Sequence, residues 1–550
     1  MRGASLPSMH LFSLTGKRWT LDRPDPVVPS SDFVETLARA RGIDSATQDV
    51  QKLSDPFLFP DMEKAVSRIE RAIAEGETIG IFGDYDADGI TGTAQLVYAL
   101  RRHGVEPVAY LPDRVVEGYG LKNASVDALK AKGVTLLITV DTGIASATEV
   151  AYAELLGIDT IITDHHRPHG RVPKALAIIH PLLPAPFPNP SLCGSGVALM
   201  LVRALEHGKR WDGIERDLVL ATIGTIGDVV PLTGENRTLV LSGLKQIAKL
   251  PPSPLKDFFD AVCPKGSVTS TDIAFRIVPR INAAGRMAHP EIALDALMSG
   301  GISLDRLHAL NAERQTFVEE LMESAHALID PSHDFLTVFS DTFTSGTVGL
   351  IAGKLTEMHG KPSIVGAIQG EKVVSSLRSV DGADVSLCLA HSAVAPHLLS
   401  FGGHAQAAGC TFTMTNVDTV RSGLQIALRE QCGEREFLPT LSIDAELASS
   451  PLTVAFAKSL LTLMPFGAGN KEPTFLLQRK KLVDLRAIGD EGSHISCRID
   501  GVKAVGFRFG SYLDKLSSMP IVDLVCRVSV NAWNGREDIQ LMIEDMRESA

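Results

Sequence analysis

The stretch "GDYDADGITGTA" (residues 83–94) places Asp84, Asp86 and Asp88 at alternate positions and closes the run with Gly89. Three carboxylates followed by a glycine match the opening of an EF-hand calcium loop, whose twelfth position is a bidentate Glu and whose flanks are helices. Position twelve here is Gln95, and the preceding "ETIGIFG" (77–83) is short, apolar and carries Ile79 and Ile81. That segment reads as a buried strand. The calcium-loop reading fails on both counts, which leaves a polar turn between strand and helix or a cluster of metal ligands.

The next hundred residues decide. From 77 to about 181, apolar runs alternate with helical patterns: "TIGIFGDYD" (78–86), "PVAYLPDR" (107–114), "LLITVDTG" (136–143), "DTIITDHH" (159–166) and "ALAIIHP" (175–181). This is the rhythm of a parallel sheet with crossover helices. Every run ends in Asp or His. Ligands of open parallel sheets bind outside the carboxyl ends of the strands. Asp84, Asp86, Asp88, Asp113, Asp141, Asp164, His165, His166 and His180 are therefore expected along one edge. A lone His after a strand is usually structural, whereas two adjacent His behind an Asp favour a metal. A further acid, Asp228, interrupts the apolar, helix-length "ATIGTIGDVVPL" (221–232). Desolvating a carboxylate there is costly unless it is paired or coordinated. Hard oxygens with imidazole and no thiolate suit Mn²⁺ or Mg²⁺ rather than structural zinc. Such ions polarise phosphoryl oxygens and acidify bound water, so phosphoester hydrolysis is the natural chemistry.

Composition sets the frame. A chain of 550 residues exceeds a single core, and 45% hydrophobic with 21% charged residues is ordinary for globular domains. No apolar run reaches the length of a membrane span, about 18 residues, and no signal peptide is evident at the start. Seven scattered cysteines without a CxxC pair argue against a disulfide framework and for a reducing cytoplasm. The net charge of −12 weakens a nucleic-acid reading without excluding a local basic groove, because a metal site itself concentrates acids.

"GDYDADG", "VDTG", "TDHH" and "GDVVPL", in that order and spacing, resemble the four metal-binding motifs of the DHH phosphoesterase superfamily. Four more stretches are similar to its RecJ-type single-strand-specific exonucleases: "LPDRVVEGYGL" (111–121), "PRINAAGR" (279–286), "GGHAQAAG" (402–409) and "PFGAGNKEP" (465–473). The resemblance implies metal coordination by Asp86, Asp88, Asp141, His165 and Asp228, with Asp141 the bridge if two ions bind. It implies that Asp84 supports or joins the site, that His166 faces the scissile phosphate and that Asp164 orients the histidines. In one respect the chain departs from the pattern: many members carry a His four residues before the Asp86 position, where this chain has Phe82. A second ion would then draw on substrate phosphate for ligands.

"PRINAAGR" sets Arg280 and Arg286 around Asn282 on what reads as a small-residue turn. A guanidinium fork fits phosphate oxygens, and the resemblance assigns these residues, with Arg114, to substrate. An amphipathic helix over 303–330, "SLDRLHALNAERQTFVEELMESAHALID", reads as a connector without chemistry of its own. A second α/β lobe follows. By likeness it is a DHHA1 domain in which Ser376 and Arg378, in "SSLRS", hold a 5′-terminal phosphate and His404 sits beside exposed amides. After "NKEP", short strand-like runs suggest a small barrel. Arg479, Lys480, Lys481, Arg498 and Arg508 with Phe507, Phe509 and Trp533 give the cation and aromatic mixture that OB-folds use on single strands.

The expected architecture is thus α/β and two-lobed, a parallel-sheet DHH domain and a DHHA1 domain joined by a long helix, with a C-terminal OB-like barrel. The expected divisions are an N-terminal extension packing on the core (1–76), a catalytic domain (77–302), a connecting helix (303–331), a DHHA1 domain (332–440) and an OB-like domain (441–550). The function implied is a cytoplasmic, Mn²⁺- or Mg²⁺-dependent 5′→3′ exonuclease of DNA repair and recombination. It would degrade single-stranded DNA to mononucleotides by metal-activated water, with a single-strand-binding protein and a helicase as partners. The rivals are a phosphoesterase of short oligoribonucleotides, cyclic dinucleotides or polyphosphate, and a DNA-binding scaffold without catalysis.

Overall fold

The computed structural model describes residues 13–549, apart from 24, 44–51, 115, 169, 265–266, 534–535 and the side chains of 532–533. Two compact units divide the chain, one comprising Arg41–Phe317 with Pro465–Lys471, the other Met1–Ala40, Val318–Met464 and Glu472–Ala550.

In the first unit, the apolar runs form strands β1 (Thr78–Gly83), β2 (Val108–Tyr110), β3 (Val134–Val140), β4 (Asp159–Thr163) and β5 (Ala177–Ile179). Strands covered on both faces need no polar alternation, which is why "TIGIFG" and "VTLLITV" are almost continuously apolar. All pairings are parallel, in the order β2-β1-β3-β4-β5. The order reverses at β1, so a crevice opens at the carboxyl ends of β1 and β3. Backbone pairing continues one residue past each strand. The Asp84 N–H donates to the Val140 carbonyl (3.2 Å), Asp141 to Thr163 (2.9 Å) and Asp164 to Ile179 (3.3 Å). Three aspartates thereby stand side by side at that edge.

Helices α1 (Ala87–Arg102), α2 (Gly194–Leu205) and α3 (Ile214–Gly227) pack with the sheet in the largest apolar core. Their far ends are tied by charge. Arg102 pairs with Glu206 and Asp217 at 2.9 Å each, and the fully buried Asp217 also accepts from the Trp211 indole N–H at 2.9 Å. Removing one member of so buried a pair typically costs about 3–5 kcal/mol. The near ends of the same helices carry Asp86 and Asp88, Gly194 and Ser195, and Asp228.

"PRINAAGR" is helical, not a turn. A helical run starts at Ser270–Asp272, widens into a π-helical turn at Ile273–Ile277 and continues as α4 (Val278–Met287). Pro279 lacks an N–H and its ring crowds the carbonyl four residues earlier, which an α-turn does not tolerate well. The wide turn directly before it relieves that conflict. The expected connector is α5 (Ile302–Leu328).

In the second unit, a mixed sheet is formed by β6 (Leu336–Ser340), β7 (Ser363–Gln369), β8 (Lys372–Arg378), β9 (Leu398–His404) and β10 (Ala407–Thr413), ordered β9-β10-β8-β7-β6. Helix α6 (Val348–His359) packs on β7 and β8. The C-terminal strands make a seven-stranded sheet running from Ala445–Glu446 through Phe475–Lys480, Val522–Trp533, Arg536–Glu548, Val502–Gly506 and His494–Ile499 to Val483–Ile488. Near the chain start, Arg18–Leu21 pairs in parallel with Thr440–Ile443, and the Trp19 indole donates to Asp545 at 3.0 Å. Among the described residues, no helix is long and apolar enough to cross a membrane.

Candidate metal centre

Asp86 is the N-cap of α1, where its Oδ1 accepts from the N–H groups of Asp88 (2.9 Å) and Gly89 (3.2 Å). A short acceptor at this position satisfies donors that the first helical turn leaves open. Asp88, in the first turn of the helix, is gripped by a second helix start. The Gly194 and Ser195 N–H groups of α2 donate to its two oxygens at 2.6 and 2.9 Å. A methyl group on Gly194 would lie 2.4–2.6 Å from atoms of the Asp141 side chain, so only glycine lets α2 approach this closely. Asp228 caps the carboxyl end of α3. Two residues here take left-handed backbone conformations that side chains normally avoid, Asp141 (φ 62°) and Val229 (φ 59°). Strain of this kind persists where the surroundings enforce it, and it clusters at functional sites.

The result is a convergence of seven side chains. They form three overlapping groups, in each of which the ligand atoms lie within 4.8 Å of one another: Asp84, Asp86 and Asp141; Asp88, His165 and Asp228; and Asp141, His165 and His166. His165 Nε2 points among carboxylates, 3.1 Å from Asp141, 3.6 Å from Asp228 and 3.9 Å from Asp88. Asp84 Oδ1, Asp141 Oδ1 and His165 Nε2 are buried without a hydrogen-bond partner among the described residues. Orphaned oxygens and an imidazole nitrogen facing each other fit a divalent cation of the Mn²⁺ or Mg²⁺ class.

Electrostatics agree with the geometry. Burial, then the charge of Asp86, pushes Asp84 well above the usual carboxylate range, and burial with Asp88 does the same to Asp141. Burial and the Asp88 carboxylate raise Asp86, and burial with Asp88 and Asp86 lifts Asp228 to about 8. Burial holds His165 down at about 4, so this imidazole is neutral and its nitrogen is available as a ligand. Desolvation pulls His166 down too, but the hydrogen bond and charge of Asp164 outweigh it and set the group at about 9. Asp164 is itself fully buried, where desolvation would raise it. The His166 hydrogen bond and charge, with the backbone N–H groups of Ile144 and His166, hold it below the usual range.

Asp164 touches the ring of His166 and the backbone of both histidines. Its Oδ1 is 2.9 Å from His166 Nδ1 and also accepts from the His165 and His166 N–H groups, while Oδ2 accepts from Ile144. Tyr119, absent from the sequence-based set, adds a second contact: its hydroxyl lies 3.0 Å from His166 Nδ1 and 3.3 Å from the Asp141 carbonyl. The only sequence signal for it is its place in "EGYGL".

Two strand-end residues serve structure instead. His180 Nε2 donates to the His166 carbonyl at 2.8 Å, and its Nδ1 accepts from the Leu182 N–H. Asp113 accepts from Val116 in the following turn. Phe82, in place of a histidine, is fully buried and stacked on Tyr110 at 5.6 Å.

Around the centre, Asn282 uses its Oδ1 to hold the Ala87 N–H at 2.7 Å, fixing the loop that carries Asp86. Arg114 lies over the Tyr85 ring at 4.8 Å, and the Arg286 charge also reaches that tyrosine. Arg280 faces His308 (3.3 Å). The "PFGAGN" segment lies against the chain just beyond Asp228, where the Leu232 N–H donates to the Ala468 carbonyl at 2.8 Å. In the second unit, Arg378 Nη1 donates to Ser376 Oγ at 2.9 Å. Both face the start of α6, where a Cβ on Gly349 would meet Arg378 Nη2 at 3.1 Å and Ser376 Oγ at 3.2 Å. His404 is opposite Ala407 in the β9–β10 hairpin. Just past the strand Val502–Gly506, Phe507 is 55% exposed and Phe509 is core, while the Trp533 side chain lies outside the described residues.

Three family models match the chain: the DHH family N-terminal domain over 78–225, the DHHA1 domain over 333–429 and the RecJ OB domain over 443–545. The single-stranded-DNA-specific exonuclease RecJ of Bacillus subtilis (strain 168) is 34% identical over 561 residues, covering 96% of this chain and 70% of its own length. The protein of that name from Dickeya dadantii (strain 3937) is 32% identical over 542 residues, covering 92% of this chain and 94% of its own. Among solved structures, RecJ from Thermus thermophilus in complex with Mn²⁺ matches with a TM-score of 0.81 at 28% identity, over 97% of this chain and 80% of that one.

Proposed function

Because the chain belongs to the RecJ family, we propose that it is a metal-dependent exonuclease acting on single-stranded DNA. The observation that carries this reading is the convergence of five aspartates and two histidines with orphaned, mutually facing ligand atoms. Asp86, Asp88, Asp141, His165 and Asp228 are the residues to hold Mn²⁺ or Mg²⁺, with Asp84 in support. A divalent ion bound there supplies Lewis acidity, polarising a phosphoryl oxygen and lowering the pKa of water.

The protein's own groups do the rest. His166, protonated at neutral pH through Asp164, offers positive charge and an N–H to the scissile phosphate. Arg114, Arg280 and Arg286 counter phosphate charge nearby, and Asn282 keeps the Asp86 loop in place. Ser376 and Arg378, at the start of α6, suit a terminal phosphate, since a helix N-terminus and a guanidinium both favour anions. Gripping a 5′-phosphate there would select 5′→3′ polarity, and release of mononucleotides is the product expected. Residues 77–302 are assigned catalysis, 303–331 connection, 332–440 end recognition and 441–550 tracking of the strand. A role in DNA repair and recombination in the cytoplasm, beside a single-strand-binding protein and a helicase, completes the reading. The small-substrate alternative leaves the OB segment without a purpose.

The test is incubation with Mn²⁺ or with a chelator. The substrates are a long single strand labelled near either end, the matching duplex and a dinucleotide. Ion-dependent release of mononucleotides from the 5′ end of the single strand alone is expected. Hydrolysis of the dinucleotide alone would overturn the reading.

A further inference from the structure

Phe275 is 76% exposed. A single exposed apolar side chain signifies little by itself, but this one has a particular setting. It occupies the π-helical turn Ile273–Ile277 that Pro279 imposes on a long helical run, and such turns recur at functional sites. Three arginines gather at this part of the run. Arg276 follows directly, with Nε 3.5 Å from Asp272. Arg280, one turn on, donates to the Arg276 carbonyl at 2.6 Å. Arg314 reaches in from α5, bonded to Asn311 at 3.0 Å, and its Nε is buried without a partner among the described residues.

These guanidinium groups repel one another. Burial and then the charge of Arg280 lower the pKa of Arg314. Burial lowers Arg280, the Cys263 thiol partly offsets this, and Arg276 lowers it further. The acids that reach the cluster are Asp272, on Arg276, and Asp305, which acts on His308. In a chain with a net charge of −12, three crowded arginines, two of them within five residues of the exposed Phe275, make a local anion-seeking surface. Such a mixture of cations with an exposed aromatic is what binds single strands. The location suits it as well. Seven residues after Phe275, about 10 Å at the α-helical rise, Asn282 touches the loop of the metal centre.

We propose that Phe275, Arg276, Arg280 and Arg314 form a second holding station for the single strand on the catalytic unit. Phe275 stacks on a base, and the guanidinium groups take the flanking phosphates. The station rests on the exonuclease reading above and adds two residues to it, Phe275 and Arg314, that the motifs do not mark.

The test uses the full-length protein with Mn²⁺ and a long 5′-phosphorylated single strand, comparing Phe275→Ala, Phe275→Trp, Arg314→Gln and the remote surface control Leu155→Ala. KM for Phe275→Ala should rise roughly five- to one-hundred-fold, as loss of one stacked base implies. Phe275→Trp should stay close to wild type, because any flat ring can stack. Arg314→Gln should raise KM and flatten the slope of log binding constant against log salt by about 0.7, one phosphate contact on a single strand. Leu155→Ala should match wild type. If wild type degrades the strand while Phe275→Ala and Arg314→Gln keep its KM and salt slope, the station is wrong and the exonuclease reading stands. If wild type leaves single strands intact, the exonuclease reading falls and the station falls with it.

Discussion

Asp164 accepts hydrogen bonds on both oxygens and holds the His166 ring, and that arrangement makes a sharp prediction. Asp164→Asn removes the charge that keeps His166 protonated while nearly preserving shape. Activity should fall about 10- to 100-fold, as losses of groups that orient a metal site do, and steady-state kinetics with unchanged activity would refute the role. Titration of the cluster gives a second prediction. Asp228 at about 8 and His166 at about 9 lie above their ordinary values of 3.8 and 6.5. A group whose pKa rises on folding contributes its full stability below the ordinary value and loses it as pH climbs through the raised one. His165, held down at about 4, acts in the opposite sense between about pH 4 and 6.5 and offsets Asp228 there. The Tm of the metal-free protein should therefore decline chiefly from about pH 6.5 to 9, as Asp228 and then His166 deprotonates. Mn²⁺ replaces protons on the carboxylates, so the decline should shrink when the ion is added. A metal-free Tm that is flat across this range would contradict it. The aspartates and histidines were legible in the sequence because each follows an apolar strand or helix. Gly194 and Tyr119 were not, since their importance lies in contacts with Asp141, Asp88 and His166 across 20 or more residues of chain.

Helix starts do much of the positioning. The N-terminus of α2 holds Asp88, and that of α6 faces Ser376 and Arg378. Gly349→Val would fill the space beside Ser376 and Arg378. The preference for 5′-phosphorylated over 5′-hydroxyl strands, read as a ratio of kcat/KM, should drop about tenfold or more, as loss of a charged hydrogen bond implies. An unchanged ratio would place the terminal phosphate elsewhere. Of the two helices, only α6 is marked in the sequence, by the helical pattern of "GLIAGKLTEMHG" (349–360), while nothing singles out 194–205. Their anion-holding ends depend on which strand each one meets, and local periodicity carries no such information. "PRINAAGR" shows the converse. Pro and Gly suggested a turn, but the π-helical turn before Pro279 lets the helix continue.

At the scale of the whole chain, the alternation of strands and helices was enough to read the parallel sheet and the second α/β lobe. The parallel pairing of Arg18–Leu21 with Thr440–Ile443 was hidden, because short segments more than 400 residues apart leave no local mark. After the C-terminal strand Val502–Gly506, Phe507 is exposed and Phe509 is core; both lie beyond the strand, so period-two alternation, which puts i and i+2 on one face, does not separate them. Phe507→Ala should weaken binding of a long single strand by about 1–3 kcal/mol, measured by anisotropy, if it stacks on a base. Affinity equal to wild type would assign that ring no part in binding. The central claim is that Asp141 and its neighbours form the metal centre of a single-strand exonuclease. It is tested most directly by titrating Mn²⁺ into wild-type protein and Asp141→Asn while following free Mn²⁺ by electron paramagnetic resonance. Binding by wild type and its loss in the variant is the expected result; equal binding by both would contradict the site.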